Sequence, residues 1–269
     1  MTKHFIEYLL TAALAVMTAQ SCVSKIDPIF DESSANRVEA LAERLNETLT
    51  GAPNGWLLEY YPSSGQYYGG FNVFLSFSEG NKVKVGSEVA GKGKTATSTY
   101  SIYQSAGCVL TLDTYNEVMH YFADPETTGG QGAGFGFEGD FEFNVLDLQD
   151  EKITLKGRKT GSTMTMTPMP VSMSWDDYIV ALKEEESAIS KHTRIRYQTA
   201  DNKYDGRING RTLEIFSEVD GEQVTTSYPF IFNLMGVTFY KPLELGDERI
   251  DGLVYNPDMA DGGAFIPVN

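Results

Sequence analysis

The hydrophobic period of this chain changes at Trp56, and that change constrains the fold more than any other feature. Before Trp56, Val38, Leu41, Leu45 and Leu49 recur at spacings of three and four, the stripe of one amphipathic helix. After it the period is two. "FNVFLSF" sets Phe71, Val73, Leu75 and Phe77 against Asn72 and Ser76, and "NKVKVGSE" sets Val83 and Val85 against Lys82 and Lys84. "STYSIYQ", "CVLTLDT", "DFEFNVLDL", "KITLKG" and "TMTMTP" continue the series, joined by short turns such as "SEGN" and "LQDEK". Such short joints cannot carry parallel crossovers, so the pattern predicts an antiparallel meander.

A second helix is expected in "SMSWDDYIVALKEEESAIS", with Ser174 and Asp177 as a capping pair and Trp175, Tyr178, Ile179 and Leu182 as the buried face. Strands resume in "RTLEIFSEV", "EQVTTSYPFIF", "GVTFYKPL" and "RIDGLVYN". Four Asp-Gly pairs, beginning at Asp205, Asp220, Asp251 and Asp261, read as tight turns. The fold class is therefore mainly β with two helices (α+β), built as antiparallel meander sheets or a partly open barrel. "TSTYSIYQSAGCVLTL" and "TTSYPFIFNLMGVTFY" align loosely, with Tyr100 and Gly107 opposite Tyr228 and Gly236. Two readings stay open: two helix-plus-meander halves, or a second half that completes the sheet of the first. The expected divisions are a signal peptide over 1–21, a tether over 22–32, an N-terminal helix and meander over 33–170, and a C-terminal helix and β domain over 171–269.

The N-terminus reads as an export signal. Lys3 and His4 precede an apolar stretch, Tyr8 to Met17, that is shorter than the roughly 20 residues a membrane span needs. Small residues Ala19 and Ser21 lead to Cys22, a pattern similar to a bacterial lipobox, with Ala19 where leucine is usual. Lipidation of Cys22 is expected; the alternative is an ordinary secretory signal. The implied location is the cell envelope, anchored by lipid to the outer membrane.

Composition narrows the function classes. A formal net charge of −16 argues against nucleic acid and against an anionic lipid surface as partners. After cleavage only Cys108 remains as a free thiol, and only His120 and His192 as histidines, with no HxH, HExxH or CxxC. No metal site and no cofactor are expected. "DNKYDG" fails as a calcium loop at Lys203 and Thr212. "TTGGQGAGFGFEGD" lacks the ending of a phosphate loop and reads as a connection between strands.

The runs "PNGWLLEYYP", "GFNVFLSF", "KVKVGSE", "TSTYSI", "LTLDTYNEVMHYFADP", "GDFEF" and "ITLKGRKTG" together resemble a Bacteroidetes lipoprotein family, domain of unknown function 4302. The resemblance is good over about 35 to 170 and weaker into "YPFIFNLMGVTFYKPLEL". It implies a lipid-anchored envelope protein, often encoded near glycan-uptake systems, and supplies no catalytic residues.

Two stretches remain as candidate sites. "LDTYNEVMHYF" reads as a β-hairpin whose turn, near Tyr115 and Asn116, is held by Asp113 and Asn116, with His120 packing or lining a cavity on its second strand. "EYYPSSGQYYGG" carries Tyr60, Tyr61, Tyr67 and Tyr68 around a Pro-Ser-Ser-Gly turn, and tyrosine suits sugar rings and protein contacts alike. The expected function is non-enzymatic binding or an accessory role, with glycan or envelope-protein partners. A hydrolase using paired carboxylates and a structural subunit of an envelope assembly are the alternatives. The anchor is directly testable. Cys22→Ala should move the protein from the membrane fraction to the soluble one, and intact-mass analysis of the wild type without acyl addition would refute lipidation.

Overall fold

The computed structural model describes residues 34–127, 130, 134–198, 203–219, 221–259 and 264–269. Cys22 and the export segment lie outside these residues, as do Asp201 and Asn202 of "DNKYDG". Helix α1 (Ser34–Gly51) comes first. Eight strands follow: β1 (Trp56–Tyr60), β2 (Phe71–Ser78), β3 (Lys82–Ser87), β4 (Thr95–Gln104), β5 (Cys108–Leu112), β6 (Glu142–Gln149), β7 (Lys152–Gly157) and β8 (Thr163–Pro168). Each pairs antiparallel with the next, and β1 pairs with β8, Leu58 opposite Met166, so the meander closes into a barrel. Eight is an even number, which lets the last strand return antiparallel to the first. The expected meander is thus a fully closed barrel here, and closure removes both edges.

Side chains fill the barrel. Trp56, Leu58 and Tyr60 of β1 point inward and are fully buried, with Val73, Val83, Leu110, Phe143 and Leu155 around them. Both mouths are stoppered. At one, α1 packs Leu45 and Leu49 onto this core. There the Trp56 indole N–H donates to Leu49 O at 3.0 Å, and the Tyr100 hydroxyl donates to Asn46 Oδ1 at 2.7 Å. At the other, Phe122 and Phe137 pack tilted and edge-on against Phe71, with centroids 5.1 and 5.4 Å away.

This second stopper is the stretch read above as a hairpin, and the structure corrects that reading. Glu117–His120 forms a single helical turn, α2, rather than the start of a strand. Asn116 decides it. Its Oδ1 accepts from the backbone N–H groups of Val118 and Met119 at 3.1 and 3.2 Å, which is helix capping. Its Nδ2 donates to Ala96 O at 3.2 Å and Ser98 Oγ at 3.1 Å, tying the turn to β4. Val118 and Phe122, four apart, then face the barrel together with Met119.

Beyond the barrel runs α3 (Trp175–Ile189), with Ser174 accepting from the Asp177 N–H at 3.1 Å as expected. Seven strands complete the chain: β9 (Arg194–Gln198), β10 (Lys203–Asn209), β11 (Thr212–Val219), β12 (Glu222–Asn233), β13 (Gly236–Leu245), β14 (Glu248–Asn256) and β15 (Ala264–Val268). They form one curled antiparallel sheet in sequential order, a half-barrel. Its aliphatic face packs on Tyr178, Ile179, Leu182 and Ile189 of α3. Phe74 explains why β2 is apolar on both sides. It points out of the barrel, is fully buried, and stacks on Trp175 at 5.5 Å.

Two Asp-Gly pairs are not turns. Asp205-Gly206 lies within β10 and Asp251-Gly252 within β14. A Cβ on Gly206 would come 2.7 Å from Glu214 O, and one on Gly252 2.5 Å from Val237 O, so both glycines serve close strand approach. The loosely aligned stretches are both hairpins, but one sits in a closed barrel and the other in an open sheet. Asn116 supplies a test. Asn116→Ala removes four hydrogen bonds at a buried position and should lower stability by about 2 kcal/mol in urea denaturation; a loss near zero would show that the stopper docks without it.

Candidate functional site

The segment 62–70 between β1 and β2 is held in an unusual shape. Ser63 and Gln66 both have left-handed backbone, with φ of 63° and 51°. Non-glycine residues adopt this at a cost on the order of 1 kcal/mol, so the surroundings must impose it. They do. The Gln66 amide donates to Ser64 O at 2.8 Å and to Ser162 Oγ at 2.9 Å, and Ser162 Oγ donates to Ser63 O at 2.7 Å. At its far end Gly70 N–H donates to Phe230 O at 2.9 Å on β12. A Cβ on Gly69 would lie 2.3 Å from Arg211 Cβ, so only glycine fits where this loop meets the β10–β11 turn.

The braced loop holds Tyr67 in the open. The side chain is 69% exposed, yet its ring lies against Gly65, where a Cβ would come within 2.2 Å of it. Tyr67 forms one wall of a groove of about 1090 Å³ between this loop and the second sheet. Tyr68, Tyr228 and Tyr240 add aromatic surface, Asn209, Gln66 and Ser227 add neutral polar groups, and Lys241 and Glu214 add charge. Tyr240 is held from behind by Tyr61, whose ring centroid is 4.7 Å away, and its hydroxyl accepts from the Thr163 N–H at 3.0 Å. The Glu214 carboxyl is kept below its ordinary range by hydrogen bonds from Arg207 at 2.5 Å and Asn209 at 3.1 Å. Held ionised, it can anchor or accept a hydrogen bond but is poorly suited to give up a proton.

The floor of the junction is charged and buried. Arg211 donates to Glu88 at 2.8 Å, to Glu186 of α3 at 2.9 Å and to Gly70 O at 2.6 Å, and its guanidinium lies over Phe71 and Phe232. Glu88 also accepts from the Asn72 N–H at 3.0 Å, and the Asn72 amide donates to Phe232 O at 2.9 Å. Burial pushes the Glu88 carboxyl above its ordinary range, and Arg211 and the Asn72 N–H offset part of that rise.

The five residues singled out in the sequence therefore separate. Tyr67 and Tyr68 line the groove; Tyr61 supports its wall while only 4% exposed. Tyr60 is sealed in the barrel core, where its hydroxyl donates to Asp140 O at 2.8 Å and accepts from the Asp140 N–H at 2.7 Å. Tyr60 is not part of the groove lining. His120 lies outside the groove, stacked on Phe141 at 4.5 Å with Nδ1 near Asn116 O at 3.1 Å, and burial lowers its pKa. That environment is a packing one. Sequence reading missed Tyr228, Tyr240, Asn209 and Lys241. They lie at least 141 residues beyond Tyr68, and no local pattern joins the two walls. Cys108 is buried in the barrel core. Among the described residues no group of three His, Cys, Asp or Glu could hold a metal ion, and no helix is long and apolar enough to cross a membrane.

Glu88 makes the junction pH-dependent. With a raised folded-state pKa, the folded chain takes up the proton first. The site's contribution is then fullest below the ordinary value of 4.5 and is lost as pH rises through the folded pKa. The stability difference between wild type and Glu88→Gln should shift in favour of wild type as urea melts move from about pH 8 to about pH 5. A difference that stays constant would show that Glu88 does not titrate between these two pH values.

Compared with known proteins, the chain matches the model of the family described as domain of unknown function (DUF4302) over residues 26–257. No curated protein and no solved structure gives a significant match.

Proposed function

The chain belongs to the family of the domain of unknown function (DUF4302), and we propose that within it this protein is a lipid-anchored envelope protein that binds a saccharide in the tyrosine-lined groove. The observation that carries the reading is Tyr67, a large aromatic side chain held exposed by a strained loop that Gln66 and Ser162 brace. A backbone in that conformation is costly, and such cost is typically kept where a side chain must be presented in one place. The groove's composition supports sugar over an apolar ligand. Tyrosine faces can stack on pyranose rings, while Asn209, Gln66, Ser227 and Lys241 offer hydrogen bonds to hydroxyl groups. Its preformed walls lower the entropy lost on binding.

Of the two groove carboxylates, Glu214 and Glu244, Glu214 is committed to Arg207 and Asn209, which suits it to holding a ligand rather than to protonating one. A glycosidase needs one carboxyl kept protonated as general acid. The lipid anchor rests on the Cys22 pattern, and the family match begins at residue 26, just past it. Tyr67→Ala should leave the urea midpoint unchanged and lower affinity about tenfold for any glycan that scores on an array, since an exposed aromatic contributes through stacking alone. Glycan release from the same array by the wild-type protein would replace this reading with the hydrolase.

A further inference from the structure

The curled sheet is one strand short of a barrel. An all-antiparallel barrel closes only with an even number of strands, and the first half of this chain has eight. Among the described residues the second sheet has seven, so β9 and β15 run in the same direction and cannot pair antiparallel with each other. Among the described residues both are edge strands, with no strand paired along their outer sides. The curl brings them to a shared opening. Ile195 and Tyr197 of β9 and Ala264 and Phe265 of β15 line one cavity of about 240 Å³, walled by the aliphatic face of the sheet, Leu213 and Ile250 among them. At one end His192 bridges the seam, its Nε2 2.8 Å from the Tyr255 hydroxyl and its ring 5.9 Å from that of Phe265.

We propose that this seam is a second binding site, independent of the groove, which takes an extended peptide segment of a partner protein as the eighth strand. Running antiparallel to both β9 and β15, one strand satisfies both edges at once, whereas no strand of the described chain can. Alternate side chains would point into the cavity, which calls for aliphatic residues at every second position. The intervening side chains would face outward beside Arg194 and Arg196. Arg196 is paired with Asp205 at 3.0 Å, while Arg194 has no ion-pair partner among the described residues, so an acidic outward face is the complementary one. Pro267 on β15 lacks an N–H, which places the pairing on that side at Ala264–Ile266.

The test uses the full-length protein and a fluorescent peptide of Val-Glu repeats long enough to span the five residues of β9. Anisotropy should show saturable binding, and amide hydrogen exchange should slow in β9 and β15 while β12 is unchanged. Arg194→Glu, at an exposed position, should weaken the peptide about tenfold and favour a Val-Lys peptide instead. Ala264→Trp should block both peptides by filling the opening. Absence of binding, or protection confined to other strands, overturns the proposal. So does protection of β9 and β15 without peptide that grows with protein concentration, which would assign the seam to a second copy of this chain.

Discussion

Arg211 is where the molecule is joined. It sits in the β10–β11 turn, yet its guanidinium reaches Glu88 beside the barrel, Glu186 on α3 and the carbonyl of Gly70. Its backbone carbonyl accepts from the Phe230 N–H at 3.0 Å. A cation buried this deeply is costly to desolvate, and the cost is offset by three acceptors, two of them carboxylates, and by the rings of Phe71 and Phe232 at 4.5 and 5.0 Å. The converse also holds. Losing Arg211 would strand Glu88 without its counter-charge, a defect on the order of 3–5 kcal/mol, far above that of a surface ion pair. The aromatic packing of Phe74 on Trp175 adds area to the junction, but area alone does not fix orientation. The hydrogen bonds of Arg211 and Asn72 do, because they accept only one docking of sheet on barrel.

That fixed docking is what makes the groove. One wall is a loop of the barrel and the other is the sheet, so the spacing between Tyr67 and Tyr228 is set by the Arg211 junction beneath them. The glycines at 69 and 70 belong to the same constraint. They let the loop backbone approach Arg211 and Ile231 more closely than any side chain would permit. The loop's strain and the buried charge are thus two parts of one arrangement.

The strands were legible because their signal is local. Alternation over six to eight residues and turn residues between them predict β2, β3 and β7 without tertiary help. The capping pair at Ser174 and the stripe of α1 are equally local. Two features misled for a definable reason. Asn116 forms the same short-range side-chain bonds in an Asx turn and in a helix cap, and residues 117–122 are apolar enough for either, so only the barrel mouth decides between them. Asp205-Gly206 and Asp251-Gly252 carry a turn composition, but there the glycine answers a neighbouring strand rather than its own backbone. The two-tyrosine wall at 67 and 68 was legible as a candidate; its partners at 228 and 240 were not, because a wall built from distant residues leaves no periodic trace.

Closure of the first sheet determines where binding can occur at all. An eight-stranded barrel has an interior that side chains can fill, and here Trp56, Tyr60 and Phe143 occupy it. Leu45 and Leu49 of α1 stopper one mouth, and Phe122 and Phe137 the other. Among the described residues the tyrosine-lined groove lies outside the barrel. The second sheet, stopped at seven strands and wrapped on α3, keeps both its concave opening and its edges. The rigid half therefore contributes a braced loop, the open half contributes the complementary surface, and Arg211 holds the two at the distance where they form one site.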